Sequence, residues 1–337
     1  MASFGGIDLG GTKIQAAIVD EDNSVLGSAR RPTPTSGGPP DVAREMVTAL
    51  EDAAKAAETD PAGLAGVGVG SPGTVRGDEV TGARNLPGWE GSFALGPELE
   101  RQLGCRVALG NDVRVATQAE FELGAGRMYR SLLGVFWGTG VGGGLILDGK
   151  PWLGRGGAGE IGHVVVEMEG ALCTCGRRGC MEAYAGRAAM EAHAEYLHRE
   201  KGRRTDLFKL MRERGRTRLT SGVWARALAD GDKLAVHMLD RAVAALGAGV
   251  ASVVNVLDVE AVLIGGGLGV RLGHPYAERI TAAMLPHLFA DYDPPRVHVA
   301  ALGDLGGAIG ASLLVREAEP DGAANGTSGA GAAVHPG

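Results

Sequence analysis

The chain opens on an apolar run, Phe4 to Leu9, and after Gly10-Gly11-Thr12-Lys13 a second run, Ile14 to Val19, leads into the polar turn Asp20-Glu21-Asp22-Asn23. Two short apolar runs joined by a glycine turn predict a β-hairpin. Pro32, Pro34, Gly37, Gly38, Pro39 and Pro40 predict a loop. Asp41 then stands where it would cap a helix whose apolar face holds Val42, Met46, Ala49, Leu50 and Ala53. Strands are predicted at Leu64 to Val69, ending in Ser71-Pro72-Gly73, and at Arg106 to Leu109, ending in Gly110-Asn111-Asp112. Val113 to Leu123 has a helical pattern. Apolar strands that end in polar loops are where an α/β protein builds its site.

The opening pattern then recurs. Gly134 to Gly140, followed by Val141 to Leu147 and Asp148, lays onto Gly6 to Thr12, followed by Lys13 to Val19 and Asp20, with every position displaced by 128. One fixed displacement predicts two domains of like topology, each opening with a glycine-turned hairpin. A glycine-rich loop and three cysteines come next, then helical sequence from about Tyr184 to Leu257, broken by a basic stretch from Lys201 to Arg218 that reads as solvated surface. Val259 to Ile264 reads as a buried strand running into Gly265-Gly266-Gly267. The Ala, Gly, Pro and Ser/Thr tail, 317–337, has little to bury and is expected to be disordered.

Composition narrows the function. With 33 Lys+Arg against 40 Asp+Glu the net charge is −7, no field for gripping a polyanion, so no nucleic-acid partner is expected. At 337 residues, 45% hydrophobic and 22% charged, the chain can fill the cores of two ordinary domains. The 57 glycines, about one residue in six, follow no collagen-like triplet period and so mark defined turns. The uncharged run Ala242 to Leu257 is shorter than a membrane span and reads as a buried helix. The first residues lack the basic and apolar regions of a secretory signal. Three of the 4 cysteines crowd together, which suits a metal site in a reducing compartment better than a disulfide framework, and a cytoplasmic protein without a membrane partner is expected.

The candidate chemistry is concentrated. Cys173, Cys175 and Cys180, with His163 upstream, offer three thiolates and an imidazole, the closed tetrahedral shell of a structural Zn2+; the alternative is three unrelated buried thiols. Gly10-Gly11-Thr12-Lys13 and Gly138-Thr139-Gly140 can present backbone N–H groups to a triphosphate or can be plain hairpin turns. Gly265-Gly266-Gly267 permits close approach of adenine or ribose, or is only a tight strand-to-helix turn. Asp112, beside Asn111, is placed either as a general base for a sugar hydroxyl or as part of a helix N-cap. Asp8 is either a Mg2+ partner or an acceptor for its own glycine turn. The turn Asn85 to Trp89 carries an amide and an aromatic ring, and Glu160 stands three residues before His163; both elements can grip vicinal hydroxyls.

Taken together, Ile7-Asp-Leu-Gly-Gly-Thr-Lys13, Ser71-Pro-Gly73, Asn111-Asp112, Gly159-Glu-Ile-Gly-His163 and the Cys-x-Cys-Gly-x-x-Gly-Cys-x-Glu run ending at Glu182 resemble the ROK family of sugar kinases and repressors, most of all its bacterial ATP-dependent glucokinases. The resemblance spans roughly Phe4 to Arg316. It implies an α/β, two-lobed actin-like (ribonuclease-H-like) fold with the site in the inter-lobe cleft. The lobes would be 1–113, completed by a C-terminal helix 304–316, and 114–303, which carries the zinc motif. Asp112 matches the family's catalytic base. Gly73, Asn85, Asn111, Glu160, His163 and Glu182 match its sugar-contacting positions. Gly10, Gly11, Thr12, Lys13, Gly138, Thr139, Gly140, Gly265, Gly266 and Gly267 match its ATP-binding positions, with Mg2+ near Asp8. His163 would serve twice, one ring nitrogen on zinc and the other on the sugar. The activity implied is transfer of phosphate from ATP to the 6-hydroxyl of glucose, in a homo-oligomer, dimer or tetramer. A kinase for fructose, mannose or an N-acetylhexosamine and a non-catalytic sugar sensor are the alternatives, as is polyphosphate for the donor. A repressor is disfavoured by the acidic balance and by the few residues ahead of the first glycine turn.

Overall fold

Both predicted hairpins form in the computed structural model, which describes residues 2–317 apart from Arg84, and their strands have bounds 128 residues apart; the pairing is shifted by one, Leu9 facing Ile14 in the first hairpin and Trp137 facing Val141 in the second. The expected disorder of 317–337 falls almost wholly outside the described residues. Strands β1 (Phe4–Leu9) and β2 (Lys13–Val19) pair antiparallel, then β3 (Val25–Pro32) extends the sheet. Helix α1 (Pro39–Ala56) leads to β4 (Gly66–Ser71), followed by the short β5 (Thr74–Arg76), β6 (Glu79–Thr81) and β7 (Ser92–Phe93). Helix α2 (Leu95–Leu103), β8 (Val107–Asn111) and α3 (Asp112–Glu122) close the first half. In the second half β9 (Leu132–Trp137), β10 (Val141–Leu147) and β11 (Lys150–Pro151) repeat the meander. The helices α4 (Glu182–Ala185), α5 (Arg187–Arg199), α6 (Leu207–Glu213), α7 (Ser221–Ala229) and α8 (Lys233–Leu257) precede β12 (Ala261–Gly265). The chain ends with α9 (Gly266–Leu272), α10 (His274–Met284), β13 (Arg296–Val299) and α11 (Gly306–Glu317).

The two large sheets have the same strand order, β3-β2-β1-β4-β8 and β11-β10-β9-β12-β13. In each, the first strand is antiparallel to the second and parallel to the fourth, with Ile7 opposite Val69 and Val135 opposite Ile264. Helices α3 and α11 lie between the sheets. The last helix returns to the first sheet: a Cβ at Gly6 would fall 1.8 Å from the Ala308 carbonyl oxygen, and one at Gly68 1.7 Å from that of Ala311. Only glycine lets backbone approach backbone this closely. On the second sheet, Gly134 and Gly144 leave the same kind of space for the Thr117 hydroxyl of α3. The buried Glu120 of α3 accepts from Ala125 N (3.0 Å) and Leu302 N (2.8 Å), and so holds the chain at both of its crossings between the halves.

Several local expectations need correction. Gly38, not Asp41, is the N-cap of α1; Asp41 sits a turn inside and its Oδ2 accepts from Gly38 N at 3.0 Å, so it ties down the same end from within. Strands β4, β8 and β12 run on to Ser71, Asn111 and Gly265, because in-register parallel pairing (Ser71 opposite Asn111, Gly265 opposite Phe136) carries each past the end of its apolar run. The basic stretch 201–218 is not all surface: α6 lies within it, Leu207 is fully buried, and Arg218 pairs with Glu191 at 2.9 Å. Helix α8 has 25 residues and is long and apolar enough to cross a membrane, more than the run Ala242 to Leu257 predicts. In its most apolar window 67% of residues are buried against the second sheet and α10, which accounts for that apolarity as core packing.

Candidate active site

The carboxyl ends of β4 and β8 meet where the first half faces the second. Asn111 is the N-cap of α3: its Oδ1 accepts from Arg114 N at 3.3 Å and its Nδ2 donates to the Gly73 carbonyl at 3.2 Å. The capping reading therefore falls to Asn111. Asp112, the first residue of α3, accepts from Val113 N (2.9 Å) through Oδ1. Its pKa is pushed up to about 7, first by burial, then by the negative charge of Asp8 and least by that of Glu160, against the backbone N–H groups that hold it down. Asp8, in β1, is itself raised by burial, and Lys13 moderates the shift. Two crowded carboxylates with no salt-bridge partner among the described residues set a cost that a cation would remove. That donor set fits Mg2+, a hard cation that takes oxygen ligands.

The first glycine turn closes with Gly10 N donating to the Lys13 carbonyl at 3.0 Å, and Thr33 Oγ1 donating to the Gly10 carbonyl at 2.6 Å. Lys13 Nζ bonds Gln15 and lies 3.4 Å from Asp304. Asn85 abuts this turn: a Cβ at Gly11 would fall 2.9 Å from its Nδ2. The structure thus places Asn85 beside Gly11 and Thr12. It takes Trp89 away from the site, since that ring is buried in the first core, edge-on to Phe93, with Nε1 donating to the Val80 carbonyl.

In the second half, the ligand atoms of His163, Cys173, Cys175 and Cys180 all lie within 4.8 Å of one another. Cys175 Sγ and Cys180 Sγ are 3.7 Å apart, and Cys173 Sγ is 3.8 Å from His163 Nδ1. A tetrahedral zinc shell has edges of about 3.5–3.8 Å, given Zn–S near 2.3 Å and Zn–N near 2.0–2.1 Å, so the set fits Zn2+ with the sulfurs as thiolates. His163 Nε2 points the other way, 4.0 Å from Glu160 Oε2. Glu182, at the start of α4, holds Val141 N through Oε2 at 2.9 Å and Thr174 Oγ1 through Oε1 at 3.4 Å. It joins the zinc loop to the second glycine turn. An open cleft of about 910 Å3 runs over these groups, lined by Thr74 and Arg76 from β5 and by the 154–158 loop, Glu160, His163 and Arg177.

The second turn is one residue tighter than the first, Gly138 N donating to the Gly140 carbonyl at 3.0 Å where Gly10 N donates to the Lys13 carbonyl. A Cβ at Gly138 would come within 3.9 Å of Gly267 N, so Gly138 to Gly140 and Gly265 to Gly267 share one place. Gly266 takes φ +78° and presses on the Trp137 backbone, a conformation and a contact that both require glycine. Sequence reasoning missed Arg187. Its Nη2 donates to Thr139 Oγ1 at 2.8 Å, and the backbone N–H groups of Arg187 and Ala188 donate to the Gly138 and Thr139 carbonyls at 3.1 and 3.0 Å. The partners are 48 residues apart, and the only local sign is a basic residue opening a helix after Gly186.

The chain is 31% identical over 332 residues to the glucokinase of Thermotoga maritima, covering 93% of this chain and 96% of the relative. It is 33% identical over 323 residues to an N-acetylgalactosamine kinase of a Shewanella species, covering 92% and 95%. Among solved structures, a ROK family glucokinase from Streptomyces griseus in complex with glucose and AMPPNP superposes with a TM-score of 0.80 at 29% identity, covering 94% of this chain and all of that one. The family model of the ROK family matches residues 4–318. Two like sheets with a cleft between them, the Asp112 end of β8 and the His163 cysteine cluster are the geometry expected from that match, and this two-lobed, actin-like α/β chain belongs to the ROK family.

Proposed function

We propose that the chain is a sugar kinase that moves the γ-phosphoryl group of ATP to the 6-hydroxyl of glucose, with Asp112 as general base. The observation that carries this reading is Asp112 itself: a carboxyl at a strand's carboxyl end, spared from capping, with its proton affinity raised to about 7. A base tuned near the working pH takes the hydroxyl proton as the oxygen attacks phosphorus and still ionises readily. Asn111, Gly73 and Asn85 line the first-lobe side of the sugar, while Glu160, His163 and Glu182 line the second. Zinc held by His163 Nδ1, Cys173, Cys175 and Cys180 would fix the imidazole's tautomer, and His163 Nε2 donates to a sugar hydroxyl from a set direction. Gly10 to Lys13, Gly138 to Gly140 and Gly265 to Gly267 cradle the nucleotide. Mg2+, held near Asp8, neutralises phosphate charge when bound. Most of the acceleration then comes from positioning and charge neutralisation. The thiolate set suits the reducing cytoplasm. A homo-oligomer is expected; Val256 and Phe289, 80% and 92% exposed and brought together by the Asn255 bonds to His287 and Phe289, offer an apolar face for it.

The relatives favour a second reading for specificity, an N-acetylhexosamine in place of glucose, since an N-acetylgalactosamine kinase is as similar as a glucokinase. The test is product analysis and ADP release with Mg2+-ATP, or polyphosphate, against glucose, mannose, fructose, N-acetylglucosamine, N-acetylgalactosamine and N-acetylmannosamine. Fastest turnover on glucose supports the proposal. Preference for another sugar keeps the mechanism and moves the specificity, and sugar binding without turnover on any of them makes the chain a sensor.

A further inference from the structure

Arg187, the first residue of α5, is half-buried, with its guanidinium against the second glycine turn. Nη1 donates to the Leu219 carbonyl at 3.0 Å and Nη2 to Thr139 Oγ1 at 2.8 Å, while Nε is buried without a partner among the described residues. Among the described residues no carboxylate bonds the guanidinium. Glu191, one turn on, is spent on Arg218 (2.9 Å) and on Leu219 N (3.2 Å). A buried arginine normally answers a carboxylate or a phosphate. Here burial works against its charge, Glu191 acts on it only at a distance, and Arg218 adds repulsion. The turn it grips is the one the sequence assigns to phosphate.

We infer that Arg187 is a positioning residue for the nucleotide: by donating to Thr139 Oγ1 it leaves that hydroxyl's own hydrogen free to donate to a phosphate oxygen, and it brings an unpaired positive charge to the same turn. A hydroxyl has one hydrogen and two lone pairs. With one lone pair fixed by an N–H that cannot deprotonate, the hydrogen is excluded from the Arg187 side and faces the opening of the turn. The bonds from Arg187 N and Ala188 N to the Gly138 and Thr139 carbonyls fix the carbonyls inward, which leaves the turn's outward face to its donors. The ligand class is a polyphosphate chain carrying a nucleoside. This inference rests on the kinase reading of the turn.

The test uses the full-length zinc-loaded protein and calorimetric titration with Mg2+-ADP and, separately, with glucose, for Arg187→Met, Arg187→Lys, Thr139→Val and the double variant Arg187→Met/Thr139→Val. Arg187→Met is expected to weaken Mg2+-ADP binding, and to raise KM for ATP, roughly tenfold, the worth of one charge-assisted hydrogen bond. Glucose affinity should stay unchanged, and Arg187→Lys should recover part of the loss. The double variant should bind little worse than the weaker single one, because each single change already breaks the shared hydrogen bond. Unchanged Mg2+-ADP affinity in Arg187→Met, equal losses for sugar and nucleotide, or strictly additive losses would each overturn the assignment. If Arg187→Met does not fold, Thr139→Val and Arg187→Lys with wild-type nucleotide affinity overturn it equally. A wild-type protein that binds glucose but no nucleotide removes the kinase reading along with it, an outcome distinct from the failure of Arg187 alone.

Discussion

The two hairpins share a backbone and divide the chemistry. Position by position at the same displacement, Asp8 stands where Phe136 does, and Lys13 where Val141 does, although both sheets have one strand order and both turns close with an N–H to C=O bond. In the first lobe the strand end carries charge, sunk beside Asp112, which is where the proposed reading puts the reacting groups and their cation. In the second, Phe136 packs on Gly265 and the turn is held by uncharged and backbone contacts plus Arg187, as suits a flat base and a phosphate chain. The lobes also differ beyond the meander. One helix, α1, joins β3 to β4, whereas β11 and β12 are separated by the zinc loop and five helices among the described residues. A fold duplicated in backbone can thus differ in function through a few side chains and one insertion.

The sharpest way to break this division is at Asp112. Asp112→Asn is expected to keep sugar affinity and cut kcat by about 10²-fold or more; near-normal turnover in a folded variant removes the base from the first lobe. The same variant tests the electrostatics. Because folding raises the Asp112 pKa from 3.8 to about 7, the folded state holds the extra proton between those values, so Asp112 costs stability progressively as pH climbs from about 4 to about 7. Asp112→Asn should therefore melt higher than wild type at pH 8, with the advantage shrinking at pH 5. A melting difference independent of pH would mean Asp112 is not raised.

Removing the metal tests the second lobe. Chelation, or Cys173→Ser, should weaken glucose binding at least tenfold, the scale of losing a metal's orienting partner, and zinc should restore the chelated protein but not the variant. Sugar affinity indifferent to zinc would detach His163 from the substrate. The equivalent glycines give a smaller, structural contrast. At Gly6 a new Cβ meets the Ala308 backbone at 1.8 Å, which cannot step aside; at Gly134 it meets a side chain, Thr117, whose Oγ1 lies 2.3 Å away and is bonded to the Val113 carbonyl. Urea unfolding should show Gly6→Ala losing about 3 kcal/mol and Gly134→Ala about 1 kcal/mol; equal losses would mean α3 is as rigid against its sheet as α11 is. Smallest is Asp8→Asn, which removes the like charge beside Asp112 and should move the acid limb of kcat/KM for the sugar below that of wild type. An unmoved limb would show that burial alone sets the Asp112 pKa.

Much of the fold and the site is legible in the chain because it is written locally. The hairpin runs, the glycine turns, the repeat of 128 and the cysteine spacing are short-range patterns, and alternating burial or tight backbone turns leave their mark on neighbouring residues. The apolar runs stop short of the true ends of β4, β8 and β12 because a strand ends where its neighbour stops offering hydrogen bonds, which apolarity does not record. The sequence of the turn at Trp89 does not say which way its ring faces, and the ring lies in the core beside Phe93 rather than at the site.

By itself the sequence determined the residue types that can do chemistry and the local turns that carry them: Asp112 after a strand, three thiols and an imidazole at ligand spacing, glycines where a chain must pass close. Only the tertiary structure decided which of them meet. It gave the cap to Asn111 and left Asp112 free, turned His163 Nδ1 to the cysteines and Nε2 to Glu160, and brought Arg187 to Thr139 from 48 residues away. The physical reason is range. Hydrogen-bonded turns and amphipathic periods act over a few residues, whereas burial, which raises Asp112 and leaves Arg187 Nε without a partner among the described residues, exists only once distant segments have packed.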